Sequence, residues 1–236
     1  MIEKYPLVSV IIPVYNRGEI FKRSFESASQ QTYPNLEIII VDDGSSPAIS
    51  LPPEATEKIK LIRQENRGAP AARNRGFAES KGEYIIFWDA DLIALPEMIA
   101  KLVNILQENP PSSYAYCDFK FGKKKLKFGP FDPEKLRRIN YITTSSLLRR
   151  EDFCGFDIAL KKFQDWDLWL TLLSNNKTGV YLPECLFTVV PGGTMSTWLP
   201  RFAYWPLFSW LPFVRERVKQ YQVARQVIVQ KHHLPG

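Results

Sequence analysis

Cysteine is scarce in this chain: there are three in 236 residues, at positions 117, 154 and 185. An odd, widely spaced set with no CxxC pair excludes a disulfide framework and reads as reduced thiols in a cytosolic protein. Histidine is scarcer still. His232 and His233 both fall close to the C-terminal residue, where disorder is expected sooner than ligation. Long hydrophobic runs are missing as well. No apolar stretch approaches the roughly 18 residues of a membrane span, and Met1 leads almost at once into a strand pattern without a secretory leader. The expected location is therefore cytoplasmic. No internal repeat and no nucleic-acid module is visible, so nucleic acid is not an expected partner.

What is present is ordinary globular composition, 45% hydrophobic and 24% charged, enough for one sizeable core with an appendage. The net charge of +6 is unevenly spread, because residues 198–236 hold six basic residues and one acidic residue. The body is close to neutral and the tail is basic.

Strand and helix patterns alternate through the first half. Apolar, β-branched runs predict strands over 7–13, 36–41, 59–63 and 83–88, with helices over 19–31, 69–81 and 96–107. Continuous apolar strands separated by helices indicate a mostly parallel sheet covered on both faces, a Rossmann-like α/β fold. In such sheets ligands bind beyond the carboxyl ends of the strands. Three strand ends carry polar or special residues there: Pro13-Val14-Tyr15-Asn16, Asp42-Asp43, and Asp89-Ala90-Asp91. The second half is less regular. A hairpin is expected from 114–121 and 126–128 around Gly122-Lys123-Lys124-Lys125, then a strand over 142–148, a helix over 165–173, and one or two strands over 180–190.

Asp89 and Asp91 end the run YIIFWDADL. Two nearby carboxylates repel unless a cation lies between them, and a hard divalent ion such as Mg²⁺ or Mn²⁺ suits oxygen ligands. An acidic turn capping the next helix explains the pair equally well. Asp42-Asp43-Gly44-Ser45 reads either as an Asx-turn or as a hydrogen-bond acceptor for a ligand's N–H groups. In Asn66-Arg67-Gly68-Ala69-Pro70-Ala71-Ala72-Arg73, small residues let a helix start approach the sheet or an anion. Arg73 opposes the helix dipole there and so calls for an anionic partner.

Taken together, VSVIIPVYNR, SFESASQQTYPNLEIIIVDDGSS, NRGAPAARNRGFAESKGEYIIFWDADL and FQDWDLWL resemble the family 2 glycosyltransferases, nucleotide-sugar-dependent enzymes of the glycosyltransferase A fold. The resemblance runs from about residue 7 to about residue 183. It implies that Pro13, Val14 and Tyr15 line the base and ribose, that Asp42 binds the base, and that Arg73 lies beside base and phosphates. It also implies a DxD motif in which Asp91 holds Mn²⁺ or Mg²⁺ most directly while Asp89 meets the ribose or shares the metal, and a general base at Asp165. Without the resemblance, Asp165 and Asp167 are helix-start acids favoured by the dipole, ahead of a core stripe of Trp166, Trp169, Leu170 and Leu173.

The activity implied is inverting transfer from a nucleotide-diphosphate sugar to a hydroxyl of a glycan or lipid-linked acceptor. Two departures stand out. Gln164 occupies a place where the family often has Glu, and 189–196 holds neither Arg nor His. The alternatives are a sugar-phosphate nucleotidyltransferase, which usually has a glycine-rich loop where this chain has Val14-Tyr15-Asn16-Arg17, and a non-catalytic nucleotide-sugar-binding protein at a membrane.

The expected organisation is a catalytic domain over 1–197, with a nucleotide-binding half (1–110) and an acceptor half (111–197), followed by an aromatic, basic extension over 198–236. The extension's aromatics and cations suit an anionic membrane surface, which would make the protein peripheral on the inner membrane face. Packing on the body or an oligomer contact would use the same residues.

Overall fold

The computed structural model describes residues 5–51, 57–191 and 212–234. Among the described residues nine strands form one sheet: β1 (Val8–Val14), β2 (Leu36–Asp42), β3 (Ile59–Arg63), β4 (Tyr84–Phe87), β5 (Leu92–Ala94), β6 (Ser112–Phe121), β7 (Lys124–Leu126), β8 (Leu147–Arg149) and β9 (Thr178–Val189). The helices are α1 (Gly18–Ser29), α2 (Ala69–Ala78), α3 (Met98–Glu108), α4 (Pro133–Arg138), α5 (Gln164–Ser174) and α6 (Pro212–Lys231). The spatial order of strands is β3-β2-β1-β4-β8-β6-β9-β5, with β7 paired to β6.

The first four strands in this order are parallel, as their continuous apolar runs require. All seven residues of β1 are buried. Its alternate side chains feed cores on the two faces: Val8, Val10, Ile12 and Val14 pack with α1 and α3, while Ile11 joins the aromatic core under α5. Because β1, β2 and β4 run the same way, their carboxyl ends meet at one edge. Val14 is in register with Asp42, and the Asp43 amide donates to the Val14 carbonyl at 2.9 Å. Gly76 holds α2 against this sheet, since a Cβ there would meet Ile11 Cγ2 at 2.4 Å.

Beyond β4 the pairing becomes mixed, as expected for the second half. β8 is antiparallel to β4 and β6, β6 is parallel to β9, and β5 is antiparallel to β9. Two local expectations need correction. The strand expected over 142–148 shrinks to Leu147–Arg149, because Thr and Ser hydroxyls compete for local backbone bonds; Ser146 Oγ donates to the Thr143 carbonyl. The hairpin tip is only Gly122-Lys123, with Lys124 and Lys125 already paired in β7. Gly122 at φ 57° supplies the left-handed residue that a two-residue turn needs. A single bulged strand, β9, covers the 180–190 region.

The stripe on α5 is as expected in part: Trp166, Trp169 and Leu170 are buried, and Leu168 and Leu172 join them. At the C-terminal end, His232 is ordered. Its Nε2 lies 2.7 Å from Asp167 Oδ1, and α6 buries Ile228 in the core under α5. A long-range contact with a carboxylate outweighs the usual disorder of a chain end. The aromatic stretch read as a membrane contact lies almost wholly outside the described residues. No helix among the described residues is long and apolar enough to cross a membrane.

Candidate active site

A cavity of about 260 Å³ opens where the three strand ends meet. Pro13, Val14, Tyr15, Arg73, Asp89 and Asp91, all singled out from sequence, line it, together with Arg17, Asp43 and the rings of Phe119 and Phe121. Pro13 and Val14 are the last residues of β1, and Tyr15 follows, 46% exposed. The turn after it is rigid: Asn16 takes φ 49°, its amide donates to Ser45 Oγ, and its side-chain oxygen accepts from the Ser46 amide.

The Asp89–Asp91 segment is a tight turn between β4 and β5, closed by the Leu92 amide donating to the Asp89 carbonyl at 2.9 Å. A buried relay fixes it to α1: Trp88 Nε1 donates to Ser24 Oγ, which donates to the Asp89 carbonyl. The anionic partner that Arg73 calls for is Asp89, with Nη2 2.7 Å from Oδ1. Asp89 Oδ2 accepts from Thr144 Oγ1 at 3.3 Å. Asp89 is therefore engaged at both oxygens, whereas Asp91 makes no ion pair among the described residues. Burial, together with the neighbouring Asp89, pushes the Asp91 carboxyl up to about 6 against the opposing pull of Arg17 and Arg73.

Arg73 is 1% exposed, and its Nε and Nη1 are buried without a hydrogen-bond partner. Its guanidinium lies 5.3 Å from the Phe156 ring. A buried cation with two unspent donors is costly unless an acceptor completes it.

Two expected residues lie outside the cavity lining. Asp42 is 1% exposed, and its oxygens accept from the Ser45 and Ile49 amides and from Arg63. Burial would raise its carboxyl, but those hydrogen bonds and the Arg63 guanidinium outweigh burial and hold it below the usual carboxylate range. The adjacent Asp43 faces the cavity while accepting from Gln64 Nε2 and from the Arg67 and Gly68 amides. Asp165 sits in the first turn of α5 and accepts from its own helix at the Trp166 amide. Burial raises its carboxyl above the ordinary range, while hydrogen bonds from Asn140 and the Trp166 amide and the charge of Arg73 pull it back. The electrostatic influence of Arg73 and Asp89 on Asp165 ties it to the same charge cluster.

Sequence reasoning gave no individual role to Thr144, Asn140, Asp43 or Arg17. Only Asp43 and Arg17 carried a signal, through adjacency to strand ends; Thr144 and Asn140 reach the cluster through the tertiary fold.

A sequence model described as glycosyl transferase family 2 matches residues 9–166. An uncharacterized glycosyltransferase of Haemophilus influenzae is 30% identical over 182 residues, covering 71% of this chain and 62% of its own length. Glycosyltransferase GlyG of Streptococcus pneumoniae is 39% identical over 107 residues, covering 43% of this chain and 36% of its own. The chain thus spans less than two thirds of the length of these relatives. Among solved structures, Staphylococcus aureus TarS 1-349 in complex with UDP-GlcNAc superposes with a TM-score of 0.66 at 18% identity, over 82% of this chain and 62% of that one. The mannosyltransferase PcManGT of Pyrobaculum calidifontis, in complex with GDP-Man and Mn²⁺, gives 0.59 at 19%, over 78% and 56%. With the family match covering most of the sheet and its strand-end motifs, this chain belongs to glycosyl transferase family 2.

Proposed function

We propose that the protein is an inverting glycosyltransferase that moves a sugar from a nucleotide-diphosphate sugar to a hydroxyl of a glycan or lipid-linked acceptor. The observation that carries this reading is the cavity at the strand ends, whose wall joins the Asp89–Asp91 turn to Arg73, a buried cation with two unpartnered guanidinium nitrogens. Structural neighbours crystallised with UDP-GlcNAc and GDP-Man support a nucleotide-sugar donor.

In this reading the exposed Tyr15 ring, with Pro13 and Val14, receives the base and ribose. Asp42 shapes that pocket from behind through its bonds to Ser45 and Ile49, and Asp43 presents its edge to the ligand. Arg73, held by Asp89 through Nη2, places its positive charge beside the phosphates.

The residues fit a divalent cation. Asp91 supplies a carboxylate raised by burial and by its neighbour Asp89; since no group of three or more metal-binding side chains occurs among the described residues, the rest of the shell falls to the ligand and water. One or two carboxylates, with substrate phosphate oxygens and water completing the shell, is how Mg²⁺ or Mn²⁺ is commonly held. When bound, the ion would offset charge on the departing diphosphate.

The transfer is one in-line displacement. The acceptor oxygen bonds to the anomeric carbon as the bond to the diphosphate breaks, and the acceptor proton passes to the Asp165 carboxylate. A raised carboxyl serves as base more effectively when its affinity for protons approaches the working pH. The test is turnover of UDP- and GDP-sugars with Mn²⁺ or Mg²⁺ and with chelator. Donor-dependent release of nucleoside diphosphate that chelator abolishes is expected. Full turnover in chelator would remove the metal, and no turnover of any donor would remove the reading.

A further inference from the structure

The most tightly tied cluster outside the cavity joins the last turn of α6 to the start of α5. Lys231 Nζ lies 2.7 Å from Asp157 Oδ2 and 2.9 Å from Asp167 Oδ1, so one cation bridges a loop carboxylate and a helix carboxylate. His232 Nε2 lies 2.7 Å from the same Asp167 Oδ1. Asp167 is 4% exposed, and a buried carboxylate requires such partners. Higher on α6, Tyr221 packs edge-on against Phe163 at 5.1 Å. Ile228 is fully buried in the same aromatic core.

What these contacts hold is the approach to Asp165. Phe163 precedes α5 at φ 61° without a side-chain cap, a backbone state that a bulky residue keeps only when its surroundings impose it. At the other end of the segment, Asn74 of α2 exchanges hydrogen bonds with the Phe156 backbone, both at 2.8 Å, beside Arg73. The stretch from Phe156 to Asp165 is thus pinned at its start by α2, one residue from Arg73, and at its end by α6.

We propose that α6 is a staple for the catalytic wall, and that Lys231 and His232 are positioning residues that hold the start of α5, and with it Asp165, in place. This rests on the glycosyltransferase reading for Asp165 itself. It assigns Asp167 to the staple and not to the acceptor, and it makes the C-terminal helix part of the catalytic unit. The donor cavity, built from β1, β4 and α2, does not depend on it.

The experiment uses the full chain and the variants Lys231→Ala, His232→Ala and Lys231→Arg. Amide hydrogen exchange, affinity for UDP and GDP, and kcat and KM for whichever donor the unaltered protein uses are measured on each. Both alanine variants are expected to speed exchange over 154–167 by about tenfold or more, with 69–91 unchanged, as a local opening does. Nucleoside diphosphate affinity and donor KM should stay within about twofold while kcat falls about tenfold or more, and Lys231→Arg should restore most of it. Unchanged exchange over 154–167 would overturn the staple. Unchanged kcat despite faster exchange would overturn its positioning role, as would parallel loss of affinity and kcat with faster exchange throughout the chain. If the unaltered protein turns over no nucleotide sugar, the base-positioning role falls with the glycosyltransferase reading, while the exchange measurement still accepts or rejects the staple by itself.

Discussion

Arg73 Nη2 rests 2.7 Å from Asp89 Oδ1, an ion pair in which the cation is 1% exposed. The pair links α2, which begins at Ala69, to the strand end that carries the two aspartates, so the geometry of the candidate donor cavity hangs on it. Arg73→Ala leaves Asp89 beside Asp91 with its nearest counter-charge gone. Truncating one partner of a buried pair costs about 3–5 kcal/mol, and the partial water access of Asp89 puts the expected loss near the low end, about 3 kcal/mol. Urea denaturation of the variant measures it. Affinity for UDP or GDP should fall together with stability, since Arg73 also lines the cavity.

The neighbouring Asp42 and Asp43 should separate by phenotype. Asp42 is held below the usual carboxylate range in the folded chain, so its contribution to stability is present above the unfolded value of about 3.9 and is lost as pH falls through the lower folded value. Asp42→Asn is therefore expected to be destabilised at pH 7, with the gap to the unaltered protein closing below about pH 4. Asp43→Ala removes the acceptor for the Arg67 and Gly68 amides at the start of α2. It should weaken nucleoside diphosphate binding by about tenfold, equivalent to about 1.4 kcal/mol, read by titration calorimetry. Equal affinity in that variant would move the base contact elsewhere.

Asp91 gives the opposite pH signature. Its carboxyl is raised to about 6, so between roughly pH 4 and 6 the folded state binds more protons than the unfolded one and stability declines as pH rises. In chelator, where no cation offsets the charge, the midpoint of denaturation should fall across that window. Asp91→Asn should flatten this part of the curve. A profile identical to the unaltered protein would show that Asp91 is not the titrating group.

Asp165→Asn tests the proton acceptor. A positioned base contributes about 10²–10⁴-fold, so kcat should drop by that factor, or about 3–5 kcal/mol of barrier, with donor affinity retained. Because the Asp165 carboxyl is raised in the folded chain, activity should fall as pH decreases through a value above the ordinary carboxylate range. Retention of full kcat by the variant would assign the proton to another group.

The amino-acid sequence by itself determined the parallel half of the sheet and the edge at which the cavity lies. Long apolar runs such as Val8–Val14 can be satisfied only by burial on both faces, and the special residues closing each run mark the carboxyl ends. The identity of Asp89 and Asp91 as a pair, and the need of Arg73 for an anion, were legible because charges close in sequence, or set against a helix dipole, must be compensated. Only the tertiary structure decided which anion that was. It also turned Asp43 toward the cavity and Asp42 into the body, and it brought Thr144 to Asp89 and Asn140 to Asp165 across loops with no periodic signal. His232 illustrates the limit best. Its partner lies 65 positions earlier, and no local pattern encodes a contact that forms only once so long a loop has closed.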